Sequence, residues 1–324
     1  MRYHLYGLSA ESDHPLPGLR AEPDAGPAEL RLSIGAHPAD PSSISTPWYV
    51  ADRETAQGEP TMAAFRSADG GWLRLRYADD TEFTVDAKGT QVGCTWQAPL
   101  TLEDACTYLL GPVCGLVLRL RGAACVHASA IATEAGALLV CGPAGAGKST
   151  TAAAFAARGG KVLADDVAAL EASSDRIAVR AAYPHLRLWP DAVRALYGDE
   201  SRLPPLTPNW DKRYLDLAEG GDAFHAGALP VAAIAVLGGR ETEYAPRLEP
   251  MRPADAVLTL VANTYMGWLP DLAAQARDLA LYARLAREVP VFRAVAHADP
   301  ARLGELCALL EARAAGTHAG GGDG

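Results

Sequence analysis

Gly142 to Ser149 reads Gly-Pro-Ala-Gly-Ala-Gly-Lys-Ser, a glycine-rich turn closed by a lysine and followed by hydroxyl residues. The spacing G-x4-G-K-[ST] is the Walker A pattern. Its chemistry follows from the residue types. Glycines let the backbone wrap closely around phosphate, and a helix beginning at the lysine offers unpaired N–H groups and the positive end of its dipole. Lys148 would reach the outer phosphates, and the Ser149 hydroxyl would ligate Mg2+. The context agrees, with the strand-like "GALLVCG" before the loop and the Ala-rich "STTAAAFAARGG" after it. The nucleotide-binding candidates are therefore Gly142, Pro143, Ala144, Gly145, Ala146, Gly147, Lys148, Ser149 and Thr150, and the expected ligands are ATP, or another nucleoside triphosphate, with Mg2+.

A phosphate loop alone does not separate kinase, switch and motor, so the residues around it must. "KVLADD" ends a short apolar run with Asp165 and Asp166, 16 positions after Ser149. The end of a strand beside the loop is where an α/β sheet places its chemistry. Phosphoryl transfer needs one carboxylate to hold the metal and one to take a proton from the attacking hydroxyl. The same pair equally suits the Walker B position of an ATPase or switch, or two helix caps. His127, in "CVHASAIA", would stand beside the aspartates if its strand is adjacent, although a lone histidine also suits a structural role. Arg187 in "PHLRLW" and Lys212 with Arg213 in "WDKRYLDL" are cations able to offset charge on a transferring phosphoryl group, or to form surface ion pairs. Tyr183, Trp189, Trp210 and Tyr265 could shape a peptide groove or pack in the core.

These residues need elements to hold them. At 324 residues the chain can bury more than one core. The segment 1–97 has short β-like runs, Ala28 to Ala36, Gly71 to Ala78 and Thr81 to Trp96, between turn residues, which predicts a β-rich, mostly antiparallel N-terminal domain. A connecting helical segment spans 98–121, with Thr101 as N-cap, acidic Glu103 and Asp104 in its first turn, and a break or kink at Gly111-Pro112. From 122 to 314, apolar strands alternate with helix-like stretches, the pattern of an α/β domain with a mixed sheet and flanking helices. Within it, Pro270 to Pro290 reads as a packing helix, and 315–324 as a disordered tail. A net charge of −10 argues against nucleic acid. No run nears the about 18 apolar residues of a membrane span, and the N-terminus lacks the apolar core of a secretory signal, so a cytoplasmic protein is expected. The six cysteines lack CxxC pairing, and neither a disulfide framework nor a zinc site is expected. A homo-oligomer is compatible with the sequence.

The order His127, Gly142 to Ser149, Asp165-Asp166 resembles the catalytic core of the HPr kinase/phosphorylase family over about 45 residues. The resemblance implies a P-loop kinase domain of HPr kinase type, preceded by the smaller β-rich domain. It also implies that Asp165 is the catalytic acid/base, that His127 orients it, and that Asp166 joins Ser149 at the metal. Lys148 and Arg187 or Lys212 would steady the transfer. The "ExRG"-type segment of the HPr-specific members is replaced by "YPHLRLWPDAVRALYG", so HPr is not the expected substrate. The runs "YHLYGLSAESDHPLPGL", "LRLWPDA", "DKRYLDL" and "REVPVFRAVAHADPARLGEL" are similar to HPr kinase-related proteins of peptide natural-product pathways, including lasso peptide kinases. The activity implied is that of a serine kinase acting on a precursor peptide, and the N-terminal domain would position the peptide or support assembly. A small-molecule kinase for a free amino acid or sugar acid, and a non-catalytic nucleotide-sensing module, are the alternatives.

Overall fold

The structure, a computed structural model, describes residues 1–22, 26–219, 223–269 and 271–316. The tail expected to be disordered lies, beyond Gly316, outside the described residues. The chain divides into two compact units, Met1–Ala123 with Leu206–Trp210, and Ala124–Pro205 with Asp211–Gly324. The segment 98–121 falls in the first of them.

In the first unit, strands β1 (Arg2–Leu5), β2 (Leu8–Ser12), β3 (Leu30–Ile34), β4 (Thr46–Val50), β5 (Met62–Arg66), β6 (Trp72–Tyr77), β7 (Glu82–Asp86) and β8 (Gln91–Thr95) form one sheet, ordered β1-β2-β3-β8-β7-β6-β5-β4. Pairing is antiparallel except at β2/β3 and β3/β8. Alternation sets its faces: in β6, Leu73, Leu75 and Tyr77 are buried and their neighbours are more exposed. Helix α1 (Leu102–Tyr108) opens with a capping box, in which Thr101 accepts from the Asp104 N–H and Asp104 accepts from the Thr101 N–H. At Gly111-Pro112, where a break or kink is expected, the α-helical pattern is interrupted while the chain stays helical. A single π-helical turn, Leu109–Val113, absorbs Pro112, and the chain continues into α2 (Cys114–Leu120). The wider turn accommodates a residue that has no N–H to give. Leu109, Leu110, Leu116 and Leu118 are fully buried, and the Tyr6 hydroxyl donates to the Leu110 carbonyl at 2.9 Å.

The second unit is mixed α/β. Its strands are β9 (Ala124–Val126), β10 (Ala128–Thr133), β11 (Gly136–Cys141), β12 (Lys161–Ala164), β13 (Ala168–Ala172), β14 (Ile177–Val179), β15 (His185–Leu188), β16 (Pro205–Thr207), β17 (Trp210–Asp216), β18 (Leu229–Glu241), β19 (Arg247–Pro250) and β20 (Val291–His297); β16 and β17 share the segment 206–210 with the first unit. The main sheet runs β12-β10-β11-β18, continues through β14, β13 and β9 from the start of β18, and through β20 and β19 from its end. β18 pairs in parallel with both β11 and β20, so the carboxyl ends of the three lie on one edge. β11 is buried throughout, as a strand covered on both faces must be.

Helices α3 (Lys148–Ala157), α4 (Pro190–Tyr197), α5 (Pro253–Ala262), α6 (Leu272–Glu288) and α7 (Leu303–Ala314) complete the unit. Ala152 and Ala153 of α3 are fully buried in a core with Ile131, Leu138, Phe155, Leu306 and Leu310. Small side chains on that face let α3 lie close to the sheet, which brings its N-terminus to the end of β11. The expected packing helix is α6, capped by Asp271 and burying Tyr282 and Leu285, with Pro270 outside the described residues. All six cysteines are buried with free thiols. Among the described residues, no helix is long and apolar enough to cross a membrane.

Candidate active site

The glycine-rich loop joins β11 to α3. Gly147 precedes α3 at φ 103°, and Gly142 leaves β11 at φ 146° with a Cβ position only 3.2 Å from the Leu237 carbonyl oxygen. Both places exclude a side chain, which explains these two glycines of the pattern. Lys148 is 7% exposed and curls back into the loop, where Nζ donates to the carbonyls of Gly142 at 2.8 Å and Pro143 at 3.0 Å. Burial holds its pKa below the ordinary lysine value, against the opposing pull of Asp166 and Asp165. Thr150 lies in the first turn of α3, and Thr151 donates to the Gly147 carbonyl at 2.9 Å.

The two aspartates follow β12 and face different partners. Asp165 is buried and accepts on Oδ1 from Ser129 at 2.6 Å and from Ser149 at 3.0 Å. Burial lifts its pKa above the usual carboxylate value; the two serine bonds only partly offset that, and the Asp166 charge adds to it. Asp166 sits at φ 68°, with the Val167 N–H bonded to the Asp165 carbonyl at 2.8 Å across it. A three-residue turn of this kind at positive φ is strained for any residue but glycine. His127 Nδ1 lies 2.8 Å from the Asp166 carbonyl and 3.2 Å from its Oδ1. Since a carbonyl only accepts, Nδ1 carries the proton. Burial acts on Asp166 to raise its pKa, but the bond and charge of His127 outweigh it and hold the carboxyl low. The same contact raises His127 against its own burial.

The contacts are arranged differently from those the resemblance implied: His127 meets Asp166, and Ser149 meets Asp165. The cause is the turn at Asp166, which sends adjacent carboxylates to different sides. Ser129, which sequence reasoning missed, is the second hydroxyl on Asp165; no local pattern marked it, because β12, which leads to Asp165, meets β10 only through the sheet pairing.

The surrounding candidates separate. The positive charge of Arg187, on β15, reaches both aspartates, and that of Lys212, on β17, reaches Asp166. Arg187 Nη2 donates to the Tyr183 hydroxyl at 2.7 Å, and burial pushes that phenol up to about 12. Lys212 Nζ lies 5.1 Å from the Trp189 ring centre, and Trp189 is 57% exposed. Arg213, next along β17, points elsewhere and pairs with Glu200 at 3.5 Å. Of the four aromatics, Tyr183 is buried as a support for Arg187, and Trp210 belongs to the first unit, edge-on to Tyr108 at 5.5 Å. Tyr265 lies 6.1 Å from the His127 ring. Trp189 by Lys212 and Tyr265 by His127 are the two of the four that lie beside candidate site residues of the second unit without being buried.

The donor set suits Mg2+. Ser149 Oγ and a buried Asp165 oxygen converge beside the phosphate loop, and Mg2+ takes one or two carboxylates and completes its shell from phosphates and water. Among the described residues there is no cluster of three His, Cys, Asp or Glu to suggest a site made by protein ligands alone.

No protein-family model matches the chain, and no curated protein matches it. Among solved structures it is similar to the Hpr(Ser) kinase/phosphatase from Coxiella burnetii, at 14% identity and a TM-score of 0.33, over 58% of this chain and 95% of that one. A likeness this distant says nothing of activity; the site's own geometry bears on function.

Proposed function

We propose that the protein is a nucleoside-triphosphate-dependent kinase of HPr kinase-like fold that transfers a phosphoryl group to a hydroxyl. The proposed acceptor is a serine of a precursor peptide of the lasso type. The observation that carries the reading is the convergence of Lys148, Ser149, Asp165, Asp166 and His127 at the loop between β11 and α3. The peptide acceptor rests on the sequence resemblances alone.

The loop from Gly142 to Gly147 offers N–H groups to the phosphates. Lys148 would exchange its two carbonyl partners for outer phosphate oxygens. Ser149 and Asp165 would hold Mg2+, which when bound offsets charge on the phosphates. Asp166 takes the proton of the acceptor hydroxyl as that oxygen bonds to phosphorus and the bond to the nucleoside diphosphate breaks. His127 fixes the orientation of Asp166, and Arg187 and Lys212 supply positive charge where negative charge builds. The strain at Asp166 is the kind of backbone outlier found where a side chain must be aimed.

The test is the intact mass of a precursor peptide after incubation with protein, ATP and Mg2+, with HPr, free serine and the Lys148→Ala variant as controls. A gain of one or more phosphates by the peptide alone, lost in the variant, supports the reading. Phosphorylation of free serine instead would identify a small-molecule kinase. Nucleotide binding without transfer to any acceptor would identify a sensing module.

A further inference from the structure

We propose that a cleft at the carboxyl end of β18 seats the base and ribose of the nucleotide, with a purine stacked on Tyr244 and Arg240 on the phosphate chain. The proposal deepens the kinase reading and rests on it. The cleft measures about 670 Å3 and is lined by Arg240, Glu241, Thr242, Glu243, Tyr244 and Arg247. That volume is within the range of small-molecule sites.

Its position follows from the sheet. Cys141 at the end of β11 is in register with Val236 of β18, so the phosphate loop and the last residues of β18 leave the sheet at the same edge. That edge, beyond the carboxyl ends of parallel strands, is where α/β sheets bind ligands. The acidic pair follows β12, which lies beyond β10 on one side of β11, whereas β18 and β20 lie on the other. A nucleotide with its terminal phosphate at Lys148 and Asp165 must therefore extend its base away from the acids, toward residues 240–247.

Contact and chemistry agree with the position. Arg240 Nη2 lies 3.3 Å from where a Cβ on Gly147 would stand, against the last glycine of the loop. Among the described residues its exposed guanidinium has no hydrogen bond or ion pair, leaving its five N–H donors available next to the glycine-rich loop. Tyr244 is 63% exposed, and among the described residues its ring meets no other ring. The wall behind them is fixed. Arg247 bonds Glu241 at 2.6 and 2.9 Å and Glu249 at 2.9 Å, the Ala298 N–H donates to the Glu241 carbonyl at 2.8 Å, and His297 Nε2 donates to the Thr242 carbonyl at 3.0 Å. Glu241 is thereby spent on Arg247, so stacking supplies most of the base affinity. Stacking tolerates any base face, so ADP and GDP should bind within a few-fold of each other.

Calorimetric titration of the full chain with ADP and with inorganic tripolyphosphate, both with Mg2+, tests this. Tyr244→Ala should weaken ADP about tenfold and leave tripolyphosphate unchanged, Tyr244→Phe should bind ADP like the parent protein, and Arg240→Ala should weaken ADP. Lys148→Ala should lose both ligands. Should Lys148→Ala lose both while Tyr244→Ala and Arg240→Ala bind ADP normally, the cleft is not the base site and the kinase reading stands. An equal loss of ADP and tripolyphosphate in Tyr244→Ala also removes the stacking role. If Lys148→Ala binds both ligands like the parent, the phosphate loop itself is misassigned.

Discussion

Asp165 and Asp166 are adjacent in sequence, yet two serine hydroxyls hold one and a histidine the other. That separation assigns different consequences to the same substitution. Asp166→Asn keeps the shape but removes the proposed proton acceptor, and should cost about 10² to 10⁴ in turnover while Mg2+-dependent ADP binding is retained. Asp165→Asn removes the charge beside Ser149, and should weaken Mg2+-dependent ADP binding before anything else. Titrating both variants with ADP at a series of Mg2+ concentrations, alongside turnover, checks the pair. The reverse outcome, with Asp166→Asn losing metal dependence and Asp165→Asn losing only turnover, would restore the roles that the family resemblance implied. Withdrawing Mg2+ with a chelator should abolish transfer by the parent protein while leaving the fold intact, since Ser129 and Ser149 already satisfy Asp165 within the protein. A matching loss of circular dichroism on chelation would contradict this.

At the scale of the element, the turn after β12 is the feature that positions the chemistry, and its strain is open to measurement. Asp166→Ala and Asp166→Gly both lose the carboxylate and the His127 contact, but only alanine keeps a Cβ at φ 68°. The glycine variant should be the more stable of the two by about 1 kcal/mol, or some 2–4 °C in Tm, with both inactive. Equal melting temperatures would show that the backbone relaxes and stores no strain. This turn also marks the limit of what the sequence disclosed. The glycine-rich loop was legible because local geometry dictates its glycines, which stand where φ is positive and space is short. The runs that hold β3, β6, β7 and β8 and the N-cap at Thr101 were legible for similar local reasons, whereas β1, β2, β4 and β5 were not. Which aspartate meets His127 depends on one backbone angle, the passage of Pro112 depends on a π turn, and the ring that Trp210 meets, Tyr108, comes from a distant segment. No local pattern encodes those.

For the whole molecule, the question is what the β-rich unit contributes to chemistry performed elsewhere in the chain. The phosphate loop, both aspartates and His127 all belong to the second unit. A chain starting at Leu100 would strip β1–β8 from helices whose Leu109, Leu110, Leu116 and Leu118 are fully buried. Exposing each such side chain costs about 1.5–3 kcal/mol, so this truncation should aggregate. Starting at Ala124 removes those helices as well, and leaves only 206–210 without its own unit, where Asn209 Nδ2 would lose its 2.7 Å bond to Asp104. The shorter chain should therefore be the better behaved by light scattering, and should bind ADP with little change. We further propose that the first unit positions the peptide, because an acceptor lacking a phosphate of its own must be oriented by contacts away from the reacting hydroxyl. The chain from Ala124 should then phosphorylate the peptide far more slowly than the full-length protein at equal nucleotide occupancy. Equal peptide turnover by the two would reduce the first unit to a cover for apolar surface, and a failure of the shorter chain to bind ADP would show that the second unit does not fold alone.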